Sequence, residues 1–187
     1  MLKNLMFSLP ALVRIFLFRS LACFLGWQLL YHLLLAPPRK LDGWLTMRTA
    51  RSTARLLTRL YKPATAVVEE LRAVVYIGKY PLIGIADGCN GLDLFVLHLG
   101  FVFCFPGQSA RRRILFALGG LAGIYLLNIV RCAALCWLHI YHPELTEVAH
   151  HYVFTAIVYG AIFWSWVFYL NNLNTVAGKG IQSSLTN

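Results

Sequence analysis

Apolar residues run almost unbroken through residues 11–36, 92–106, 114–141 and 148–170, and polar or basic residues collect between those runs. About 20 consecutive apolar residues cross a hydrocarbon core, so the pattern predicts transmembrane helices over 11–36, 90–106, 114–141 and 148–170. Arg14 and Arg19 interrupt the first run near its start and are expected at the interface, with their stems snorkelling outward. Pro37-Pro38 closes that helix. Residues 41–62 follow a different rule. Leu41, Trp44, Leu45, Leu56, Leu57 and Leu60 can share one face of a helix, while Arg48, Arg51, Arg55 and Arg59 gather on another. An amphipathic helix lying on the membrane surface is predicted there, its basic face turned to an anionic partner or to lipid head groups. Residues 72–86 change character again: Val74 to Ile77 are β-prone, Gly78-Lys79 can turn, and Leu82 to Ile85 can pair back. This is a short hairpin with Pro81 at an edge or a strand start. The polar tail from Asn171 is expected to fray.

The fold class implied is an all-α polytopic membrane protein. It has about four transmembrane helices, an amphipathic helix and a short extracytoplasmic β-hairpin, and residues 1–187 form a single membrane domain. Composition agrees. The chain is 59% hydrophobic and 13% charged, with a mean hydropathy of +0.64, where a soluble domain carries about 25% charged residues. A net charge of +10 could suggest nucleic acid, but the basic residues flank apolar runs as they do beside membrane helices. No nucleic-acid partner is expected; membrane lipid is. The first apolar stretch lacks a small-residue cleavage site, so it reads as a retained span and not as a cleavable signal peptide.

Candidate chemistry centres on Asp87-Gly88-Cys89-Asn90-Gly91-Leu92-Asp93, where a polar, glycine-rich turn meets the start of an apolar helix. A helix N-terminus offers free N–H groups and a positive dipole end, a setting that favours thiolate over thiol. Of the five cysteines only Cys89 has such surroundings; Cys23, Cys104, Cys132 and Cys136 lie within apolar runs and read as buried packing. Arg111-Arg112-Arg113 in a short loop should be cytoplasmic. Cys89, Arg131 and the pair His150-His151 then reach the extracytoplasmic level on three different helices. The arginine-rich 37–88 segment, placed outside by this argument, pulls the other way. Arg131 in a hydrophobic helix is costly unless it faces a polar partner, and Asn128 shares its face three residues earlier. A thiol beside a guanidinium and an imidazole supports acyl transfer through a thioester. The lone His98 on an apolar helix reads as a packed, hydrogen-bonded side chain.

These residues resemble a known family. Cys89-Asn90-Gly91-Leu92 resembles the Cys-Ser-Gly-Leu type motif of exosortases and archaeosortases. Asn128-Ile129-Val130-Arg131 is similar to their Asn-x-x-Arg motif, and the histidine opening the last span resembles their third catalytic position. The resemblance covers roughly residues 40–170, with Asn90 in place of the usual serine. It implies a multi-pass protease-transpeptidase of the inner membrane, acting at the extracytoplasmic face. Its substrates would be surface-targeted proteins with a C-terminal sorting signal, made of a short motif, a hydrophobic helix and a basic cluster. The acceptor is unspecified and no cofactor is implied. By the same resemblance Cys89 is the nucleophile, Arg131 the oxyanion or substrate stabiliser, and His150 or His151 the acid/base. Asn128, Asn90 and Gly91 would orient the substrate. Two other classes fit parts of the chain. One is a membrane metal or haem protein using His139, His142, His150 and His151, with Cys132 and Cys136 nearby. The other is a small transporter component with Asn128 and Arg131 lining a pathway.

Overall fold

The computed structural model describes residues 11–105 and 109–184. Pro106, expected to end the second span, and Gly107-Gln108 of the basic loop lie outside the described residues, as do residues 185–187 of the tail. Five main helices and three strands follow in order. They are α1 (Ala11–Leu30), α2 (Lys40–Leu60), β1 (Ala64–Glu69), β2 (Arg72–Ile77), β3 (Tyr80–Ala86), α3 (Leu92–Cys104), α4 (Ala110–Tyr141) and α5 (Phe154–Ser184). A π-helical turn, Tyr31–Leu35, extends α1, and a second, Ala149–Val153, leads into α5.

Among the described residues three helices are long and apolar enough to cross a membrane: Val13–Leu35, Ala110–Tyr141 and Pro143–Asn171. The fourth expected span is not among them. α3 has 13 residues, about 20 Å at 1.5 Å per residue, against a hydrocarbon core of about 30 Å. The last helix also runs further than its apolar pattern: the backbone stays helical from Asn171 to Ser184, where a frayed tail was expected.

The hairpin exists as β2–β3, with Gly78 at φ +61° in the turn. Pro81 stands at the edge position required of it, opposite Tyr76 where the register shifts. A third strand, β1, pairs antiparallel with β2 and makes the sheet three-stranded, in the order β1-β2-β3.

α2 packs by a different face from the one its leucines suggest. Leu45, Thr46, Thr49, Ala50, Thr53, Ala54 and Leu57 are buried, whereas Leu41, Trp44 and Leu60 are exposed. Small side chains at these positions let a second backbone come close, and α2 uses them to lie between the sheet and α4. Ala50, Ala54 and Leu57 form one core with Ala73, Val75 and Ile85 of the sheet and Cys132, Ala133 and Cys136 of α4. A second core joins Leu94, Ile124, Val158 and Ile162 of α3, α4 and α5. His98 holds that trio together, as the packed side chain expected. It is buried, accepts a hydrogen bond from Trp166 Nε1 at 3.2 Å through Nδ1, and lies 3.3 Å from the Phe116 carbonyl through Nε2. A side chain at Gly120 would overlap the His98 ring, so glycine is required there for α3 and α4 to meet. The cysteine reading needs one correction: Cys104, Cys132 and Cys136 are buried, but Cys23 is exposed on α1.

Candidate active site

The turn that carries Cys89 is built from β3 into α3. β3 ends at Ala86, a single 3₁₀ turn holds Asp87–Cys89, and α3 starts at Leu92. Asn90 sits between them with its side chain fully buried, and its Oδ1 accepts the Leu92 N–H at 2.8 Å. That bond satisfies one of the N–H groups a helix start leaves open. Gly91 has φ +90°, and an added Cβ there would stand 3.3 Å from Asn128 Nδ2. Backbone conformation and close approach both select glycine at this position.

Beneath the turn lies a set of polar residues that sequence reasoning passed over. Asn90 Nδ2 donates to Asp42 Oδ1 at 3.0 Å, and Asp42 Oδ2 accepts from Tyr31 O–H at 3.1 Å. Thr46 donates to Asp87 Oδ1 at 3.1 Å, and Arg39 pairs with Asp87 Oδ2 at 2.6 Å. The N-terminal end of α2 therefore grips both sides of the cysteine turn. One signal was available in the sequence: Asp42 is the single acidic residue in the arginine-rich stretch 39–62.

Three further side chains converge on Cys89 from two other elements. From α4, Asn128 Nδ2 and Arg131 Nη2 both donate to the Cys89 carbonyl oxygen, at 3.2 and 3.0 Å. From the π turn before α5, His150 Nε2 lies 3.4 Å from Cys89 Sγ. His151 packs edge-on against His150, with ring centroids 5.0 Å apart, and points to the exposed side. The π turn sets this choice. One extra residue in the turn shifts the phase of the helix, and the His150 carbonyl accepts Thr155 Oγ1 at 3.2 Å.

A cavity of about 170 Å³ opens over Cys89, lined in part by Asp93, Asn128, Arg131, Thr155 and Tyr159. Arg131 lines it and braces the cysteine backbone through Nη2, while its Nε is buried. A larger cavity of about 630 Å³, walled by α1, α3 and α5, shares the wall residues Asp93 and Tyr159 with the small one. The histidine cluster of the alternative metal-site reading does not gather. Among the described residues no three His, Cys, Asp or Glu side chains gather closely enough to hold a metal ion, and His142 instead meets Glu144 at 3.5 Å.

The fold and the site together define a multi-pass membrane protein in which a cysteine, a histidine and an arginine from separate elements meet at one end of the helices. The model of the transmembrane exosortase family matches residues 2–170, and the chain belongs to that family. No curated protein and no solved structure matches.

Proposed function

We propose that this chain is a cysteine transpeptidase or protease working through a thioester on Cys89. The observation that carries the reading is the approach of His150 Nε2 to Cys89 Sγ at 3.4 Å, with Arg131 held against the same residue. A thiol and a base within reach, brought from different elements, are the minimum for nucleophilic acyl transfer.

The step balances with these groups. His150 takes the thiol proton, and Cys89 Sγ attacks the scissile carbonyl carbon to form a C–S bond. The Arg131 guanidinium, which lines the cavity and is held against Cys89, is suited to receive the developing oxyanion. The C–N bond then breaks and the amine leaves with the proton from His150. Water or an acceptor nucleophile gives its own proton to His150 and attacks the thioester, the C–S bond breaks, and the departing Cys89 thiolate takes that proton back from His150. Hydrolysis or transpeptidation follows according to which nucleophile enters.

The finer reading comes from the family resemblance. Substrates would be surface-targeted proteins with a C-terminal sorting signal of short motif, hydrophobic helix and basic cluster. The site would face the extracytoplasmic side of the inner membrane, and 1–187 would act as one membrane domain. Gly91, Asn90 and Asn128 serve by holding the turn in place. The test is to isolate a hydroxylamine-labile adduct between the protein and a substrate from cells expressing it. The adduct should be absent from Cys89→Ala, and processing should stop. Processing at a normal rate in Cys89→Ala sinks the proposal.

A further inference from the structure

On the side of α2 away from the core, Arg51, Arg55 and Arg59 stand four residues apart, so their side chains line one edge of the helix. They rim a groove of about 460 Å³ whose other wall is Ala64, Thr65 and Ala66 of β1. No carboxyl group lines it, and none of the three arginines has a hydrogen-bond or ion-pair partner among the described residues. The groove floor is fixed, because Thr58 Oγ1 accepts the Ala64 N–H at 2.9 Å and ties the end of α2 to the start of β1. Three unpaired guanidiniums over a rigid floor make a site for an anion with several acceptor oxygens.

The depth of this row identifies the anion. Ala50, Ala54 and Leu57, on the turns of α2 that carry the arginines, share one core with Cys132, Ala133 and Cys136 of α4. Along α4, Cys132 and Cys136 lie about 29 and 35 Å beyond Arg113 at 1.5 Å per residue. With Arg111–Arg113 at one boundary, this packing falls at the other boundary, about 30 Å away. The arginine row therefore lies at the level of lipid head groups. Exposed Trp44 and Leu60 on α2, and Tyr61 just past its end, are the anchors expected at that level.

We propose that the Arg51–Arg55–Arg59 groove is a binding site for the phosphate of an anionic phospholipid. It is independent of the chemistry assigned to Cys89, and its test does not read activity. Full-length protein is reconstituted in nanodiscs of equimolar phosphatidylcholine and phosphatidylglycerol and extracted in mild detergent, and the co-purifying lipid is counted by mass spectrometry. Wild type should retain phosphatidylglycerol in excess, R51Q/R55Q/R59Q should lose half or more of that excess, and R51K/R55K/R59K should keep most of it. The single variant Arg55→Glu should also lose it, with circular dichroism confirming unchanged helix content. No excess in wild type, or an undiminished excess in Arg55→Glu and the glutamine triple, overturns the proposal. So does displacement of the lipid by glycerol phosphate or soluble polyphosphate at the same concentration as competing phosphatidylglycerol, which would mark a site for a soluble anion.

Discussion

At the scale of single residues, the site depends on what each side chain can reach. His150 touches the thiol and His151 does not. On the proposed mechanism, His150→Ala should lower processing by about 100-fold or more, the usual worth of a positioned acid/base. His151→Ala should stay within a few-fold of wild type. Initial rates on a reconstituted substrate separate the two. Arg131→Lys tests a different point. A lysine ammonium is a point charge and cannot reproduce the planar guanidinium fork that is held against the Cys89 carbonyl. A loss of about 100-fold is expected, as for removal of one oxyanion donor, and near-normal turnover would reduce Arg131 to a backbone brace. Sequence alone could not choose between the adjacent histidines, because a step of 100° per residue assumes regular helix. The chain is π-helical there, so the phase that decides the matter is set by tertiary packing.

At the scale of elements, the same contrast recurs. α2 was legible as a basic helix because its arginines repeat with the turn of a helix, but its packing face was misread. Threonine and alanine bury against α4 and the sheet, and hydropathy gives them little weight against Leu41, Trp44 and Leu60. The β2–β3 hairpin announced itself through Gly78, whereas β1 was invisible. Its link to β2 is the two-residue loop Glu70-Leu71, with Glu70 at φ +49° where Asn-Gly would be the usual signal. Cys89, Asn128 and Arg131 could be found from the sequence because a thiol in a glycine turn and an arginine in an apolar helix are both unusual. Asp42 could be noticed but not placed, since nothing local says that it meets Asn90 and Tyr31. Its importance is testable. Asp42→Ala removes the closest acceptor of the buried Asn90 amide and the acceptor of the Tyr31 phenol, which costs about 1–3 kcal/mol. Thermal unfolding in detergent should register this, and Asp42→Asn, which keeps one acceptor oxygen, should lose less.

At the scale of the whole molecule, two cores hold the protein and one helix stands outside both. α3, α4 and α5 close around His98, and the backbone of α4 can approach only because position 120 is glycine. Gly120→Ala forces α3 and α4 apart and should cost about 1–3 kcal/mol, the range for overpacking a filled core. The loss should be visible as a lowered unfolding midpoint and as exposure of Trp166, whose indole bonds His98.

α1 has no fully buried side chain from Val13 to Leu35, and its contacts with the rest of the chain include Phe16 against Phe101 and Phe105, Ser20 and Cys23 beside Cys104, and Tyr31 on Asp42. A helix held so lightly takes its posture from the bilayer. The Val13–Leu35 span contains 23 residues, about 34 Å at 1.5 Å per residue, and a hydrocarbon layer of about 30 Å makes it lean or thicken the lipid around it. Short-chain lipids should increase the lean and long-chain lipids relax it. The 630 Å³ cavity, which has α1 as a wall and shares Asp93 and Tyr159 with the cysteine chamber, would then widen or narrow with membrane thickness. Spin labels on Leu25 and Leu97 should report a distance that changes with acyl-chain length, while a pair within α4 stays constant.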